Sequence, residues 1–439
     1  MSIVVRWAYT ALLCLVSPIL LWGLYRSKAN KPPFGHRWKE HFGFTPPIKN
    51  RQSGVIWIHA VSVGEVLASK KLVEQLAIQN PDKRILITTT TSTGAEQVEK
   101  MSGSISHRYM PIDFSWCVQR FINRIQPDNM LIIETELWPN TINTVAKNDI
   151  PMILVNGRLS EKSASNYQKM SSLIYPTISK LSLILTVHSD DKSRFELLGA
   201  PSEKVIVTGS IKYDVSIDNN VIAQGEHLKD ILGQGRQIVV AASTHAGEDE
   251  QIFRAYQQAK IQLPELLLVI VPRHPERFDS VAELAKNRGL VLVRRTEVVD
   301  ELPLDVDVYL GDTMGELMVM LSASDLVFMG GSLLGKKVGG HNFIEPALLQ
   351  KYCLTGPSYF NFADLANQLI ESSALSVVAD ENELALQMIS ALSKPKELIE
   401  KGRIGYGIVQ QNQGALQQTL QLIHHSATNN QSTNIETSP

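Results

Sequence analysis

The chain has 439 residues, of which 44% are apolar and 20% are charged, a composition typical of an ordinary globular protein with more than one domain. This composition excludes a collagen, a disordered regulator and a multi-span membrane protein. The formal net charge of −2 gives no reason to expect a nucleic-acid binder. Three widely separated cysteines, Cys14, Cys117 and Cys353, form neither a disulfide framework nor a paired-cysteine metal site, so the bulk of the chain is expected in the cytosol.

The N-terminus carries an uncharged, apolar stretch over residues 7–25, which is about the length needed to cross the ~30 Å hydrocarbon layer. A basic run follows directly, at Arg26, Lys28 and Lys31. By the positive-inside rule, the remainder of the chain then lies in the cytoplasm. We predict a membrane anchor in residues 1–30. Two alternatives remain open: a cleavable signal peptide and, because of Pro18, a monotopic helix lying in one leaflet.

Beyond the anchor, short apolar runs alternate with amphipathic stretches of helical length, which predicts parallel sheets covered by helices on both faces. In the first half the predicted strands are Val55–Ala60, Arg84–Thr90, Met130–Thr135, Met152–Asn156, Leu183–Val187 and Val205–Gly209. In the second half they are Ile238–Ala242, Leu266–Pro272, Leu290–Arg294, Val306–Gly311, Leu326–Gly330, Tyr352–Thr355 and Ser376–Ala379. Two such sheets in tandem predict a cleft towards which the carboxyl ends of the strands face.

Composition divides this pattern into segments. Residues 31–213 are predicted to form one Rossmann-like domain and residues 238–425 a second. The intervening residues 214–237 lose the periodicity and are rich in Asn, Asp, Gln and Gly, so we interpret them as a linker. The polar tail, residues 426–439, is predicted to be disordered.

Strand-end loops of the first half carry acids and a lysine. Glu65 follows a sharp turn at Gly64 and lies in the first turn of the next helix; by spacing alone, an acid complementing the helix dipole is the simpler interpretation, and a general base is the alternative. Glu134 and Glu136 sit together after a buried strand, where unpaired carboxylates are rare. Lys212 comes just after the last strand, where a cation could meet a developing negative charge or form an ordinary salt bridge.

The second half carries four loops suited to a nucleotide. Arg273 offers a bidentate ligand for phosphate, and the pair Gly339-Gly340 before a helix predicts free backbone N–H groups for phosphate. Glu345 could accept hydrogen bonds from ribose hydroxyls. The sequence has no phosphate-binding P-loop, no dinucleotide fingerprint and no metal-binding motif at the strand ends, which leaves metal-free, nucleotide-dependent group transfer.

Nine strings, in this order along the chain, carry a family resemblance. They are HAVSVGE (59–65), ETELWPN (134–140), VNGRLSEKS (155–163), VTGSIKYD (207–214), STHAGE (243–248), PRHPERF (272–278), GDTMGEL (311–317), GGS (330–332) and GGHNFIEPA (339–347). Together they resemble the bacterial 3-deoxy-D-manno-octulosonic acid (Kdo) transferases of lipopolysaccharide assembly. The resemblance runs from the N-terminal anchor to about His425.

This resemblance implies an α/β protein of the GT-B class, with two Rossmann-like, doubly wound domains facing a cleft and an N-terminal membrane-anchor helix. It implies an inverting, metal-independent glycosyltransferase that moves Kdo from CMP-Kdo to lipid IVA, the lipid A precursor, at the cytoplasmic face of the bacterial inner membrane. No cofactor, metal or nucleic acid is expected. The implied partners are CMP-Kdo, lipid IVA and the lipids around the N-terminal segment.

The resemblance also assigns roles residue by residue. Glu65 matches the family's general base, which reverses the preference that spacing alone gave. Glu134 and Lys212 match positions assigned to transition-state stabilisation. The positions that match the CMP-contacting segments are Arg273, His274, Met314, Gly315, Glu316, Asn342, Phe343, Ile344 and Glu345.

One segment departs from the family. Many members have Gly-Glu-Arg where this chain has Lys39-Glu40-His41, so no catalytic role is given to Glu40. Two other interpretations remain open at the level of sequence. One is another GT-B sugar-nucleotide enzyme, a UDP-sugar transferase or 2-epimerase, and the other is a non-catalytic, membrane-tethered module that binds a nucleotide sugar.

Overall fold

The computed structural model of the chain describes residues 2–26, 32–48, 54–101, 103, 105–233, 235–297 and 300–435. The chain forms two compact units. The N-terminal unit comprises Met1–Asp214 and Gln413–Pro439, and the C-terminal unit comprises Val215–Asn412. By connectivity, the second unit is therefore inserted into the first.

The N-terminal unit is built on a wholly parallel, seven-stranded sheet in the order β3-β2-β1-β4-β5-β6-β7. Its strands are β1 (Val55–His59), β2 (Arg84–Thr89), β3 (Ile105–Tyr109), β4 (Asn129–Ile133), β5 (Met152–Gly157), β6 (Leu183–Thr186) and β7 (Val205–Val207). Its first helices are α1 (Ser2–Tyr25), α2 (Val63–Gln79), α3 (Ser92–Glu99), α4 (Ser115–Ile125), α5 (Pro139–Lys147), α6 (Glu161–Lys169), α7 (Ser171–Ile178) and α8 (Ser189–Leu197). A short 3-10 helix, Gly35–Phe42, precedes β1.

The C-terminal unit has a second wholly parallel, seven-stranded sheet in the order β10-β11-β9-β8-β12-β13-β14. Its strands are β8 (Ile238–Thr244), β9 (Leu267–Pro272), β10 (Leu292–Arg294), β11 (Val308–Leu310), β12 (Leu326–Met329), β13 (Cys353–Thr355) and β14 (Leu375–Val377). Its helices are α9 (Asn219–Ile231), α10 (Asp249–Gln262), α11 (Phe278–Asn287), α12 (Leu317–Ala323), α13 (Ile344–Leu348), α14 (Ala363–Glu371), α15 (Glu381–Leu392) and α16 (Pro395–Gln411). The last helix, α17 (Ala415–Ile435), returns to the N-terminal unit.

Both sheets are sandwiched between helices, which confirms the predicted doubly wound α/β class. The central strands are buried along their whole length because helices cover both faces, and this explains why they are continuous apolar runs. In the N-terminal unit, one apolar cluster packs Trp57 and Phe121 on one side of the sheet, while a second packs Ile58 and Leu72 on the other.

Three elements differ from the sequence predictions. Strand β3 was not predicted, because its residues Ile-Ser-His-Arg-Tyr are too polar to stand out as an apolar run. Helix α9 occupies much of the segment 214–237 that was interpreted as a linker; its apolar side, with Leu228 and Ile231, packs into the C-terminal unit. Helix α17 extends into the tail predicted to be disordered, which contains no Gly and no Pro before Pro439; residues 436–439 lie outside the described residues.

One helix in the described part of the chain, Ile3–Tyr25, is long and apolar enough to cross a membrane by length and composition. It covers the stretch predicted as an anchor. The basic residues Lys28 and Lys31 that follow it lie outside the described residues.

Two glycines of α16 give opposite stability predictions. A Cβ atom at Gly402 would lie 1.9 Å from the backbone oxygen of Gln350, whereas a Cβ at Gly407 would meet nothing within 4 Å. We expect Gly407→Ala to raise the free energy of unfolding by about 0.5–1 kcal/mol, the ordinary gain from alanine in a helix. Gly402→Ala should lower it by about 1–3 kcal/mol, because the backbone contact must move.

Calorimetric melting of the two variants and the unaltered chain measures both changes, with Gly407→Ala as the matched control. Equal stabilisation by the two substitutions would show that α16 does not pack closely against the segment at Gln350.

Candidate active site

The candidate site residues of the N-terminal unit lie at its topological switch point. Strands β1 and β4 are neighbours in the sheet, but their connections leave in opposite directions, so a crevice opens at their carboxyl ends. Glu65 follows β1 and Glu134 follows β4. The structure therefore brings these two acids to the point where open α/β sheets bind their ligands.

The carboxylate of Glu65 is held by the turn that precedes α2. The backbone N–H of Val61 donates to Oε2 at 2.6 Å, and the hydroxyl of Ser62 donates to Oε1 at 2.8 Å. The side chain is 8% exposed. Glu65 is thus a fixed, nearly buried acid and not a solvated helix-end charge.

Burial raises the pKa of Glu65 to about 7. The two hydrogen bonds oppose this rise, and the nearby negative charges of Glu136 and Glu134 add to it. A carboxylate whose pKa lies near neutral pH can both accept a proton and exist ionised in a large fraction of molecules. The electrostatic setting of Glu65 therefore allows it to exchange a proton near neutral pH.

Glu134 and Lys212 form an ion pair, with Lys212 Nζ donating to Glu134 Oε1 at 2.8 Å. Both side chains are about one-third exposed, so they remain accessible to a ligand. The backbone of Glu134 has a φ of 60°, in the left-handed region that a residue with a Cβ rarely adopts. Strain of this kind persists where the surroundings impose it, and it concentrates at functional sites.

Several neighbouring residues support Glu65, Glu134 and Lys212. Asn156, which also has a positive φ, accepts the N–H of Ile211 through Oδ1 and so holds the loop that carries Lys212. Glu136 accepts the indole N–H of Trp138 at 2.9 Å, and the Trp138 ring meets the edge of the buried His59 ring. Of this set, the sequence had singled out Glu136 beside Glu134, whereas Asn156, Trp138 and His59 occurred only within the family-like strings.

Glu40, to which no catalytic role was assigned, has a structural one. Its carboxylate accepts the backbone N–H of Tyr109 at 2.8 Å and pairs with Arg37 at 3.0 Å. The bond to Tyr109 fixes the 3-10 helix to the edge strand β3, and the ion pair with Arg37 is internal to the 3-10 helix.

In the C-terminal unit, the corresponding switch point lies between β8 and β12. Glu248, fully buried after β8, accepts the backbone N–H groups of Gly331, Ser332 and Leu333 at 2.7–3.0 Å. This carboxylate therefore shapes the loop that follows β12. Sequence reasoning named the STHAGE string but gave Glu248 no role.

A cluster of histidines and an arginine lies at the same edge. His245 and His341 stack, with their Nε2 atoms 2.8 Å apart, and His274 lies edge-on to His245. Burial, followed by the charges of His245, Arg273 and His274, lowers the pKa of His341 to about 4. Arg273 is exposed at the end of β9, so its guanidinium is available to an anion.

The other residues that match the CMP-contacting segments are partly exposed and partly buried. Met314 and Gly315 lie on an exposed turn, with Gly315 at a φ of 87°, while Glu316 pairs with Arg295 at 3.0 Å, which lowers the pKa of Glu316. Phe343 and Ile344 are core residues whose side chains are buried. Any contact that these two make with a ligand would use their backbone.

The remaining loop corrects one expectation. The N–H of Gly340 was expected to be free for phosphate, but it donates to the carbonyl oxygen of Gly331 at 2.9 Å, because the two glycine loops pack on each other. Asn342 accepts the N–H of Ile344 and starts α13. Burial raises the pKa of Glu345, and a hydrogen bond from Asn342 and the charge of Arg273 oppose that rise.

Comparisons with known proteins identify relatives over nearly the whole chain. The family model described as 3-Deoxy-D-manno-octulosonic-acid transferase (kdotransferase) matches residues 36–215. The 3-deoxy-D-manno-octulosonic acid transferase of Haemophilus influenzae is 39% identical over 421 residues, which are 95% of this chain and 98% of that protein.

Two solved structures share the fold at low sequence identity. A glycosyltransferase from Rickettsia africae has a TM-score of 0.54 at 12% identity, covering 85% of this chain and 99% of its own. The UDP-GlcNAc 2-epimerase of Neisseria meningitidis has a TM-score of 0.54 at 14% identity, covering 84% and 99%. At these identities the likeness concerns the fold alone, and it confirms the predicted GT-B class.

The positive φ of Glu134 predicts an unusual order of stabilities. Both Glu134→Gly and Glu134→Ala remove the ion pair with Lys212, but only glycine relieves the backbone, so the glycine variant should be about 1 kcal/mol more stable than the alanine variant. At Glu136, whose φ is not positive, alanine should be the more stable.

Denaturation of the four variants under one set of conditions tests this order. Alanine more stable than glycine at both positions would show that the backbone at Glu134 carries no strain.

Proposed function

Because this chain belongs to the family of Kdo transferases, glycosyltransferases of lipopolysaccharide biosynthesis, we propose that it transfers Kdo from CMP-Kdo to lipid IVA with inversion, using Glu65 as the general base. The observation that carries the proposal is the buried carboxylate of Glu65, with its pKa of about 7, at the switch point of the N-terminal unit. Direct displacement of CMP needs such a base to take the proton from the acceptor hydroxyl.

Glu134 and Lys212 are proposed to stabilise the transition state. Departure of CMP leaves an oxocarbenium-like sugar, whose positive charge a carboxylate stabilises, while a cation stabilises the negative charge of the leaving phosphate or of the Kdo carboxylate. The ion pair keeps the two charges in place before the substrate arrives, so little reorganisation is needed during the reaction.

CMP-Kdo is proposed to bind at the carboxyl edge of the C-terminal sheet. Arg273 offers an exposed guanidinium to the phosphate, and His274 lies beside it. The turn at Met314-Gly315 is exposed and could meet the base or ribose, and Glu345 is placed near the charge of Arg273. The loop held by Glu248 contributes shape, since its N–H groups are already bonded.

The proposal includes the place of the reaction. Lipid IVA stays in the bilayer, so an enzyme attached by an apolar N-terminal helix meets it at the membrane surface. The chain is accordingly proposed to work at the cytoplasmic face of the inner membrane. No cofactor or metal is assigned to the step, because the residues named above supply a base, a cation and an anion ligand.

The reaction itself is tested by mass spectrometry of lipid IVA incubated with the chain, CTP, Kdo and a CMP-Kdo synthetase. We expect a mass gain of one or more Kdo units, which also counts the transfers. The synthetase reaction is run first and the synthetase removed, so that EDTA added afterwards acts only on the transfer step. The gain should persist in EDTA, and its loss would contradict the metal-independent mechanism; no gain without EDTA would contradict the acceptor assignment.

Glu65 is tested by its pH dependence. A base must be ionised, and the pKa of Glu65 is about 7, so kcat/KM should rise with pH through about 7 and level off above it. Glu65→Gln should lower kcat by about 10²–10⁴-fold and abolish this rise, because the amide cannot accept the proton. Binding of CMP, measured by calorimetry, should remain.

Glu74→Gln is the matched control, since Glu74 lies on the same helix, is half-exposed and pairs only with Lys70 among the described ion pairs. It should leave both kcat and the pH profile unchanged. A residual activity in Glu65→Gln that keeps the wild-type pH profile would assign the base to another residue.

A further inference from the structure

Helix α1 has two different sides. One side of the helix is buried or half-buried. Near its start, Arg6, Tyr9 and Thr10 contact the N-terminal unit, and near its end Leu24 and Tyr25 do so. The opposite side exposes large apolar residues, including Trp7 (65%), Leu15 (78%), Ile19 (69%) and Trp22 (65%). The helix therefore lies along the unit and does not project away from it.

Polar bonds fix α1 at both ends. The hydroxyl of Tyr9 donates to Asp113 at 2.9 Å, and the amide of Asn140 donates to Thr10 at 2.9 Å. At the other end, the hydroxyl of Tyr25 lies 2.9 Å from His41 Nδ1. Asp113 is buried, and its carboxylate also receives the backbone N–H groups at the start of α5, so the helix is bonded to the interior of the unit.

These bonds disfavour a helix that crosses the bilayer. If α1 crossed while docked, the neighbouring helices α5 and α7 would enter the membrane with it, and the charges of Lys147 and Lys180 would have to enter or pass through the hydrocarbon. If α1 detached in order to cross, the buried Asp113 would lose the hydroxyl of Tyr9, and Asn140 would lose Thr10. Either way, crossing is penalised.

We propose that α1 lies in the plane of one leaflet, with its docked side on the N-terminal unit and its exposed apolar side in the lipid. This inference rests on the membrane association proposed above and specifies its geometry. An interfacial helix buries its apolar face about 5–10 Å below the headgroups. Arg6 and Lys180 near one end of α1, and Arg26 at the other, are placed to meet anionic headgroups.

The surface beside the C-terminal end of α1 has the same chemistry. Tyr25 donates to the backbone of Trp38, which lies in the 3-10 helix. Trp38 helps to line an open apolar groove together with Lys39, Phe42, Phe44, Trp116 and Arg120. Exposed tryptophans next to cations are typical of protein surfaces at the membrane interface, so the groove has the chemistry of a surface that could meet the same leaflet as α1.

Protease protection distinguishes the two geometries. An epitope tag with a protease site is placed ahead of residue 1, and the full chain is bound to sealed vesicles of phosphatidylethanolamine and phosphatidylglycerol. Impermeant maleimide labelling of Ile261→Cys, in the exposed part of α10 and combined with Cys14→Ser to remove the exposed native thiol, reports which vesicles carry the units outside. On these vesicles an in-plane helix leaves the tag outside and cleavable, whereas a crossing helix protects it until detergent is added.

The depth of a spin label on Cys14 in the membrane gives a second measurement, and it requires no substitution. Cys14 is exposed in the middle of α1, while Cys117 and Cys353 are buried, so a spin label attaches selectively. The in-plane geometry places the label about 5–10 Å below the headgroups. A crossing helix places it near the centre of the ~30 Å hydrocarbon layer.

A matched pair of variants tests the exposed side. Leu15→Ser with Ile19→Ser should weaken vesicle binding by about tenfold or more per residue, because each loses apolar area in the lipid. Ile261→Ser with Leu386→Ser, which alters similarly exposed residues of the C-terminal unit, should leave binding unchanged.

The outcomes separate this inference from the proposed function. A protected tag with a deep label overturns the in-plane geometry and leaves membrane association and Kdo transfer standing. A chain that does not bind vesicles at all overturns both the in-plane geometry and the membrane association. Kdo transfer is tested separately, by the mass gain of lipid IVA dispersed in detergent.

Discussion

The constraint on which the site depends is the parallel direction of every strand in both sheets. Parallel strands bring all their carboxyl ends to one edge, and a reversal in strand order opens that edge between two neighbouring loops. In the N-terminal unit, the two loops carry Glu65 and Glu134; in the C-terminal unit, they carry Glu248 and the segment at Gly331. The strand order alone therefore brings these acidic residues to the edge of each sheet where ligands bind.

The two units use their buried acids in opposite ways. The carboxylate of Glu248 accepts three loop N–H groups, which oppose the rise that burial causes in its pKa, and it acts as a brace. Burial raises the pKa of Glu65 to about 7, two hydrogen bonds from the described residues oppose this rise, and the charges of Glu136 and Glu134 add to it. A carboxylate with a raised pKa binds a proton more readily, which fits the base role proposed for Glu65.

The sequence predicted the central strands from a strong local pattern, because buried parallel strands are apolar runs. The position of Glu65 in the first turn of a helix was also local, but its assignment as a base came from the family resemblance and not from spacing. The sequence could not reveal the positive φ of Glu134 or the hydrogen bond from the N–H of Gly340 to the carbonyl oxygen of Gly331, because these depend on how distant loops pack. Strand β3 was missed for a related reason, since its polar residue His107 is bonded by Arg37 of the distant 3-10 helix.

The return of α17 to the first unit has a consequence for how the chain can be divided. Ala415, Leu420 and Ile423 complete an apolar cluster that contains Leu72, and Asp214 accepts the N–H groups of Gly414 and Leu416 where the two crossings meet. A fragment that stops at residue 214 would leave that cluster open to water. To produce the N-terminal unit alone, the inserted residues 215–412 should therefore be replaced by a short loop. The bonds of Asp214 to Gly414 and Leu416 already hold the two ends that this loop would join close together.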